Sequence, residues 1–202
     1  VRDKGIIYNT VFIYDKELNK VKEVFRQKDP YQGPGKGYQV LHGVFSYAVR
    51  GDMFIVPNHD SSGLAAFGKD YKKKFEIRVK QEPRKVDAAF KKTLTDLYKN
   101  SPETKNAYEQ IKPLRFPKTF PIIADFFMDG DSIYIITNKE KDGASQYFTY
   151  GPDGKFQKEG WLKLQNESEM RPFPTLIHNG QVCQLVENED TETWEFHMSK
   201  LD

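Results

Sequence analysis

The side-chain types of a serine hydrolase triad occur together once in this sequence, in the run His59-Asp60-Ser61-Ser62. A working triad holds an imidazole between a hydroxyl and a carboxylate in space, and adjacent residues do not adopt that geometry by being adjacent. The chain also lacks the G-x-S-x-G motif that presents a nucleophilic serine on a sharp turn. This run therefore does not predict a hydrolase.

The sequence does not support a metal site or a phosphate site either. The sequence contains neither H-E-x-x-H nor C-x-x-C, and its histidines occur singly, at His42, His59, His178 and His197. Asp129-Gly130-Asp131 starts like a calcium loop, but strand residues follow at once, which favours a turn. The glycine run Gly33–Gly37 departs from the phosphate-loop pattern because Pro30 occupies the first glycine position and Gly37 follows Lys36. We interpret it as a linker, and we expect no metal and no cofactor.

Charge and composition narrow the range of partners. Among 202 residues, 31 Lys plus Arg balance 29 Asp plus Glu, for a net charge of +2, and both signs are interspersed, which gives no support to nucleic-acid binding. No apolar run reaches the roughly 20 residues of a membrane span. Cys183, the sole cysteine, lies in an apolar run and is expected to be buried. The length fits one domain over residues 1–202.

A pattern of four strands recurs along the chain. The sheets that it predicts must hold the residues of any functional site in place. The clearest copy of the pattern covers residues 123–164, with turns at Asp129-Gly130-Asp131 and at 151–154, where an Asp-Gly pair supplies the positive φ of a hairpin. The predicted strands of this copy are 123–128, 132–138, 144–150 and 155–164. An earlier copy has predicted strands at 44–49, 53–57, 64–67 and 73–79. A final copy from Pro174 has three strands, and the N-terminus contributes two, at 6–14 and 20–25.

Repeated antiparallel meanders of this length are typical of a β-propeller, which arranges them radially as blades. The sequence therefore predicts an all-β chain with about three and a half four-stranded blades. A β-sandwich would also use short antiparallel strands, but it does not predict units that repeat the same turn positions. A closed four-bladed ring is an alternative, with the N-terminal strands completing the last unit.

One segment, residues 84–112, breaks the β pattern. Apolar residues spaced three and four apart predict an amphipathic helix: Val86, Ala89, Phe90, Leu94, Leu97 and Tyr98. Ser101-Pro102-Glu103 predicts the N-terminus of a second helix, which Lys112-Pro113 would end. We expect a helical insertion packed on the propeller surface, with a lid or a partner-docking element as the functional alternative.

Several of these segments resemble a known family. Gln32–Tyr38 resembles the linker between blades of bacterial six-bladed, NHL-like β-propellers of uncharacterised function. Residues 116–122, the strands of 126–143, the turn of 148–156 and the closing run of 185–195 look like the C-terminal half of those proteins. Lys36-Gly37 replaces an acidic residue common in the family. The resemblance implies six blades, so that this chain would be a piece of a longer protein, and an extracytoplasmic location, periplasmic or lipid-anchored at the surface.

Propellers usually bind through the face that carries the connections between blades and the loops from second to third strands. We expect that face to carry the site, because exposed loop residues on a rigid scaffold are suited to binding. Aromatic and cationic side chains there could hold an anionic or sugar-like ligand. The candidate ligand-binding residues are Tyr38, His59, Arg115, Lys118 and Arg171.

The leading hypothesis is a non-enzymatic binding module that recognises a protein, peptide or glycan. The alternative is a propeller enzyme, a lyase or hydrolase with its site at the channel mouth. A third hypothesis is a structural segment of a larger assembly, in which open blade edges self-associate through unpaired backbone groups.

Overall fold

The computed structural model describes residues 1–58, 61–102, 104–168 and 171–201. These described residues are mostly β-structure and include two helices. The elements in chain order are β1 (Arg2–Asp3), β2 (Ile6–Tyr14), β3 (Lys20–Lys28), β4 (Tyr38–Gln39), β5 (Ala48–Arg50), β6 (Met53–Pro57), β7 (Gly63–Phe67), β8 (Lys73–Arg78), α1 (Ala88–Asn100), α2 (Lys105–Ile111), β9 (Leu114–Arg115), β10 (Ile123–Asp129), β11 (Ser132–Lys141), β12 (Ala144–Tyr150), β13 (Phe156–Leu162), β14 (Asn166–Ser168), β15 (Arg171–Pro172), β16 (Thr175–His178), β17 (Gln181–Asn188) and β18 (Thr193–Lys200).

Two compact units divide the chain. The first consists of Val1–Tyr47, Val56–Leu64 and Val79–Ile122, and the second of Ala48–Ile55, Ala65–Arg78 and Ile123–Asp202. The sheet with strand order β5-β6-β7-β8 contributes its β6–β7 turn to the first unit and its remaining residues to the second.

The best-formed sheet of the second unit is antiparallel and has the strand order β10-β11-β12-β13. Gly130 has a φ of 55° in the turn where Asp129 pairs with Ser132, as the Asp-Gly signal predicts. Strand β12 is buried almost throughout, because it lies between two neighbours within the sheet. The predicted strand boundaries agree with the structure to within a few residues. The prediction of an all-β chain with four-stranded antiparallel sheets is confirmed.

The last sheet has three antiparallel strands in the order β16-β17-β18, as the sequence predicts. A hydrophobic core joins it to the preceding sheet, where fully buried Tyr147 packs with side chains of both sheets. The buried members of this core are Tyr134, Ile136, Tyr147, Leu162, Ile177 and Val182. The first strands of successive sheets also lie together in this unit, because β10 lies against both β5 and β16.

The strand predicted near residues 44–49 is present, but its predicted start is wrong, because the strand begins at Ala48 and ends at Arg50. Phe45 instead stacks on Phe25, with ring centroids 5.7 Å apart, and the Gln27 side-chain amide donates to the Gly43 carbonyl at 2.8 Å. Side chains of β3 therefore hold residues 43–45. An alternating pattern in the sequence does not reveal such a contact.

The N-terminal sheet has three strands, β1-β2-β3, where the sequence predicts two. Strand β1 is only two residues long and pairs with Ile6 and Ile7, so it is too short to show a period-2 pattern. The predicted β2 boundaries are confirmed. Strand β3 continues to Lys28, three residues beyond the predicted end.

Helix α1 begins after Asp87, whose carboxylate accepts the Phe90 N–H at 2.8 Å as an N-cap, and it buries Leu94. The predicted start of the second helix at Ser101 is wrong. The Ser101 N–H donates to the Leu97 carbonyl at 2.9 Å, which makes Ser101 the C-cap of α1, and α2 begins at Lys105. Within the described residues, no helix combines the length and the apolar character that crossing a membrane requires.

Candidate functional site

Tyr38 and Arg115 are brought together by a short parallel β-pair. Strands β4 and β9 align Tyr38 with Leu114 and Gln39 with Arg115. The Tyr38 N–H donates to the Pro113 carbonyl at 3.1 Å, and the Val40 N–H donates to the Arg115 carbonyl at 3.0 Å. Two candidate residues that are distant in sequence thus become neighbours on one backbone ladder.

Gly37 allows this pair to form, because it lies directly against the backbone of Pro113. Its φ is 72°, in the left-handed region, and a Cβ at this position would overlap the Pro113 carbonyl oxygen. A residue with a side chain would therefore push the two segments apart. The glycine run is a linker, as the sequence predicts, and one of its glycines is needed for close approach to β9.

The other end of the linker is fixed by Gln32, which is buried. Its side-chain amide accepts the Ile7 N–H and donates to the Ile7 carbonyl, both at 2.9 Å, so it pairs with β2 as a strand residue would. The same nitrogen donates to the Asp29 carbonyl at 2.7 Å. Tyr31 and Tyr38 form a β-bridge across the turn. Tyr38 is thus held at a defined position at the end of an anchored loop.

Tyr98 of α1 completes the group, and the sequence interpretation missed its role. Its ring centroid lies 6.2 Å from that of Tyr38, with the planes tilted by 48°. Burial raises the pKa of both phenols, and the neighbouring Tyr98 raises the pKa of Tyr38 further. The apolar helical pattern indicated only that Tyr98 packs. Its partner lies 60 positions earlier in the printed sequence.

The Arg115 guanidinium has donor capacity that the described residues do not use. Its Nε is buried without a hydrogen-bond partner, and its Nη2 reaches the Gly37 carbonyl at 3.5 Å, a long contact. Buried N–H groups are rarely left unpaired, so such a group indicates a missing acceptor. Carboxylates and phosphates are the acceptors that a guanidinium binds best, since they can take two parallel bonds.

The remaining candidate residues are placed differently. Lys118 is exposed, and its carbonyl accepts the Val86 N–H at 3.0 Å beside the bridge between Lys85 and Thr119. Arg171 belongs to β15, a two-residue strand of the second unit that pairs with β14. His59 lies outside the described residues. Of the five candidates, Tyr38 and Arg115 belong to one β-pair, where Tyr38 is in register with Leu114 and Arg115 with Gln39.

One carboxyl group of the second unit has a pKa raised by burial. Burial raises the pKa of Asp125, an effect that is partly offset by the Phe126 N–H, which donates to its Oδ1 at 2.8 Å. Asp125 stands at an irregularity in the pairing of β10 with β11. The described residues contain no group of three or more His, Cys, Asp or Glu side chains that could hold a metal ion.

Comparison of the sequence with protein-family models and with curated proteins found no match.

Proposed function

We propose that this chain is a non-enzymatic binding module that recognises an anionic group of a protein, peptide or glycan through its loop-bearing surface. The observations that carry the proposal are the Tyr38–Tyr98 ring pair and the Arg115 guanidinium. Tyr38 and Arg115 belong to the two strands of one β-pair, and we call these three residues the Tyr–Arg site. It combines two half-buried phenols with a guanidinium whose Nε lacks an acceptor. Aromatic faces suit a sugar ring or a flat side chain, and the guanidinium suits a carboxylate or phosphate.

We also propose that the sheets are blades of a β-propeller. Three features of the second unit support this. The first strands of three successive sheets lie side by side. Arg50, the last residue of β5, pairs with Asp131 at 3.0 Å, and the Asp129 carboxylate accepts the Gly180 N–H at 3.0 Å. The hydrophobic core between the last two sheets adds the face-to-face packing that neighbouring blades require.

Membership of the six-bladed, NHL-like family and an extracytoplasmic location belong to the same proposal. They are supported by the resemblance of the Gln32–Tyr38 linker and of residues 116–143 to that family. Fractionation of the source cells with an antibody against the chain tests the location, because a periplasmic or surface protein is released with the envelope fractions. Recovery with the cytosolic fraction would contradict it.

Calorimetric titration tests the binding function. The probes are an oligogalacturonate and a hexaglutamate peptide, each paired with a neutral analogue of equal length. We expect an acidic probe to bind and its neutral analogue to bind at least about tenfold more weakly, the factor that 1.4 kcal/mol gives. An Arg115→Gln variant should lose a similar factor, because the bidentate partner is removed.

Lys36→Gln is the matched control, since Lys36 is an exposed cation of the same linker. It should leave affinity nearly unchanged. Equal losses in both variants would show that net charge alone attracts the probe, which would contradict a defined Tyr–Arg site. Failure of both acidic probes to bind at millimolar concentration would reject recognition of carboxylates, and an inorganic phosphate titration would then test the other anion class.

The alternative function, a propeller lyase or hydrolase, is supported by Asp125. A carboxyl group with a raised pKa stays protonated at higher pH than an ordinary aspartate, and a protonated carboxyl group can act as a general acid. Acid–base catalysis would require a second group and access for a substrate. A pH–rate profile on polysaccharide and ester substrates tests this alternative. Activity that falls as Asp125 ionises and disappears in an Asp125→Asn variant would replace the binding proposal with an enzymatic one.

A further inference from the structure

The last strand, β18, presents an apolar surface at a sheet edge. Trp194, Phe196 and Met198 alternate along it and are 52%, 63% and 60% exposed. Leu185 of β17 lies on the same face, because it pairs with Phe196. Leu176 of β16 lies there too, because it pairs with Cys183 of β17, which in turn pairs with Met198. In the described part of the chain, β18 pairs with β17 alone. Within the described residues, one edge of β18 is therefore unpaired.

The free backbone groups of that edge can be assigned. The Leu201 N–H donates to the Gly180 carbonyl on the β17 side, and the register between β17 and β18 has no irregularity. Because backbone groups alternate along an antiparallel strand, those of Thr193, Glu195, His197 and Ser199 also point towards β17. The outward N–H and C=O groups are therefore those of Trp194, Phe196 and Met198, the residues of the apolar face.

These residues are self-complementary in one antiparallel register centred on Phe196. Two copies of β18 related by a two-fold axis would place Phe196 opposite Phe196 and Trp194 opposite Met198 of the other copy. Each of these pairs would exchange both backbone hydrogen bonds, because their N–H and C=O groups point outward. Aromatic and thioether side chains would meet across the strands on the apolar face.

The opposite face brings a carboxylate and an imidazole together in the same register. Glu195 of one copy would stand opposite His197 of the other, in the closer, non-hydrogen-bonded class of pairs. Within one copy these side chains already bind each other, with His197 Nε2 and Glu195 Oε2 2.8 Å apart. In the dimer each of these side chains would exchange its partner in its own chain for the equivalent partner in the other copy. Neither Glu195 nor His197 is then left unpaired. Thr193 would face Ser199, so no like charges oppose each other along the strand.

We propose that β18 is a homodimerisation edge, and that its occupant is β18 of a second copy, paired antiparallel about Phe196. Such an interface is isologous and closes after two copies, so it yields a dimer instead of a fibre. The proposal is independent of the Tyr–Arg site, because ligand binding and self-association can each fail without the other.

Cysteine cross-linking tests the register. In a Phe196→Cys variant the two introduced thiols would face each other, with Cα atoms roughly 5.5 Å apart, a separation that a disulfide spans. In a Trp194→Cys variant the two thiols would lie four residues apart along the strands, roughly 13 Å, beyond disulfide reach. Mild oxidation should therefore cross-link the first variant, while the second remains single chains on non-reducing gels. The native Cys183 is buried and common to both. Equal cross-linking of the two variants would overturn the register.

Light scattering coupled to gel filtration tests the dimer itself. We expect the unmodified chain to have twice the monomer mass at about 100 μM, where a micromolar contact is occupied. Phe196→Pro should give the monomer mass, because it removes an outward N–H without breaking a bond to β17. Leu176→Lys, on the same apolar face but in β16, should remain dimeric.

A monomeric unmodified chain would overturn the proposal, as would a dimer that survives Phe196→Pro. Loss of the dimer in Leu176→Lys would also overturn it, because that result indicates face-to-face stacking of sheets. Circular dichroism of each variant shows that the chain is folded. If Phe196→Pro does not fold, Phe196→Lys is used with the same expected result, since a charge at an edge position blocks strand pairing.

Discussion

The carbonyl oxygen of Pro113 occupies the space that a Cβ on Gly37 would need. This relationship fixes the distance between the linker and β9, and it allows β4, which contains Tyr38, to pair with β9, which contains Arg115. The Tyr–Arg site therefore depends on a residue that has no side chain.

We expect Gly37→Ala to lower the free energy of unfolding by about 3 kcal/mol, because left-handed strain adds to a backbone overlap. Gly35→Ala is the matched control: its φ is 74°, and nothing lies within 4 Å of an added Cβ. It should cost only about 1 kcal/mol. Urea unfolding measures both values. Equal costs would show that the contact with Pro113 does not constrain the linker.

Gln32→Leu tests the anchor at the start of the linker. It would remove the acceptor of the Ile7 N–H and the donor to the carbonyls of Ile7 and Asp29. We expect a loss of about 3 kcal/mol of unfolding free energy, because the unpaired backbone groups are desolvated. Gln39→Leu, which removes a single contact to the neighbouring Val40 carbonyl at 3.1 Å, should cost about 1 kcal/mol or less. If Gln32→Leu lowers the free energy of unfolding by less than Gln39→Leu does, Gln32 does not anchor the linker.

Gly160→Ala should destabilise the second unit by about 2 kcal/mol through overpacking. Gly160 pairs with the fully buried Tyr147, whose ring atoms lie 2.7–2.8 Å from the position of an added Cβ. Gln157→Ala, an exposed change in the same strand, should be nearly neutral. Thermal unfolding compares the two. If Gly160→Ala is also neutral, Tyr147 can move, and the core of this sheet is less tightly packed than the contacts indicate.

Asp125→Asn should stabilise the chain at neutral pH. The folded-state pKa of Asp125 is raised by burial, so its stabilising contribution is present below the unfolded pKa and is lost as pH rises through the folded value. The amide retains an acceptor for the Phe126 N–H and carries no charge. Urea unfolding at pH 7 should therefore favour the variant, and the difference should disappear below the ordinary pKa of 3.8. Asp190→Asn, at an exposed turn, is the control. A constant difference at all pH values would exclude ionisation as the cause.

The sequence predicts the sheets well because their signals are local. The β11 and β12 strands are marked by alternation and by turns that contain Asp or Gly, and both start where the sequence predicts. Helix α2 was misplaced because Ser101 was interpreted as an N-cap, whereas its N–H closes α1. Thr104 precedes α2 instead, and its hydroxyl donates to the Tyr98 carbonyl at 3.0 Å.

The site was only partly predictable. Tyr38 and Arg115 were selected because they occur on predicted loops, but nothing local indicated that they would pair. Strands β4 and β9 are two residues long, too short for a periodic pattern, and they are parallel. Tyr98 was interpreted as one apolar residue of a helix. A long-range pair and a contact between helix and loop leave no signal in a single sequence.

The pairing of β4 with β9 joins residues that are far apart in the chain, since the contact between Arg115 and Gly37 spans 78 positions. Closing so long a loop costs chain entropy, and the two-residue pair makes too few contacts to offset that cost by itself. We therefore expect the pair to form late in folding, after the neighbouring sheets. The Tyr–Arg site would then be absent from partly folded chains. Any ligand that binds it would act as a reporter of complete folding, and would raise the melting temperature in proportion to the logarithm of its concentration.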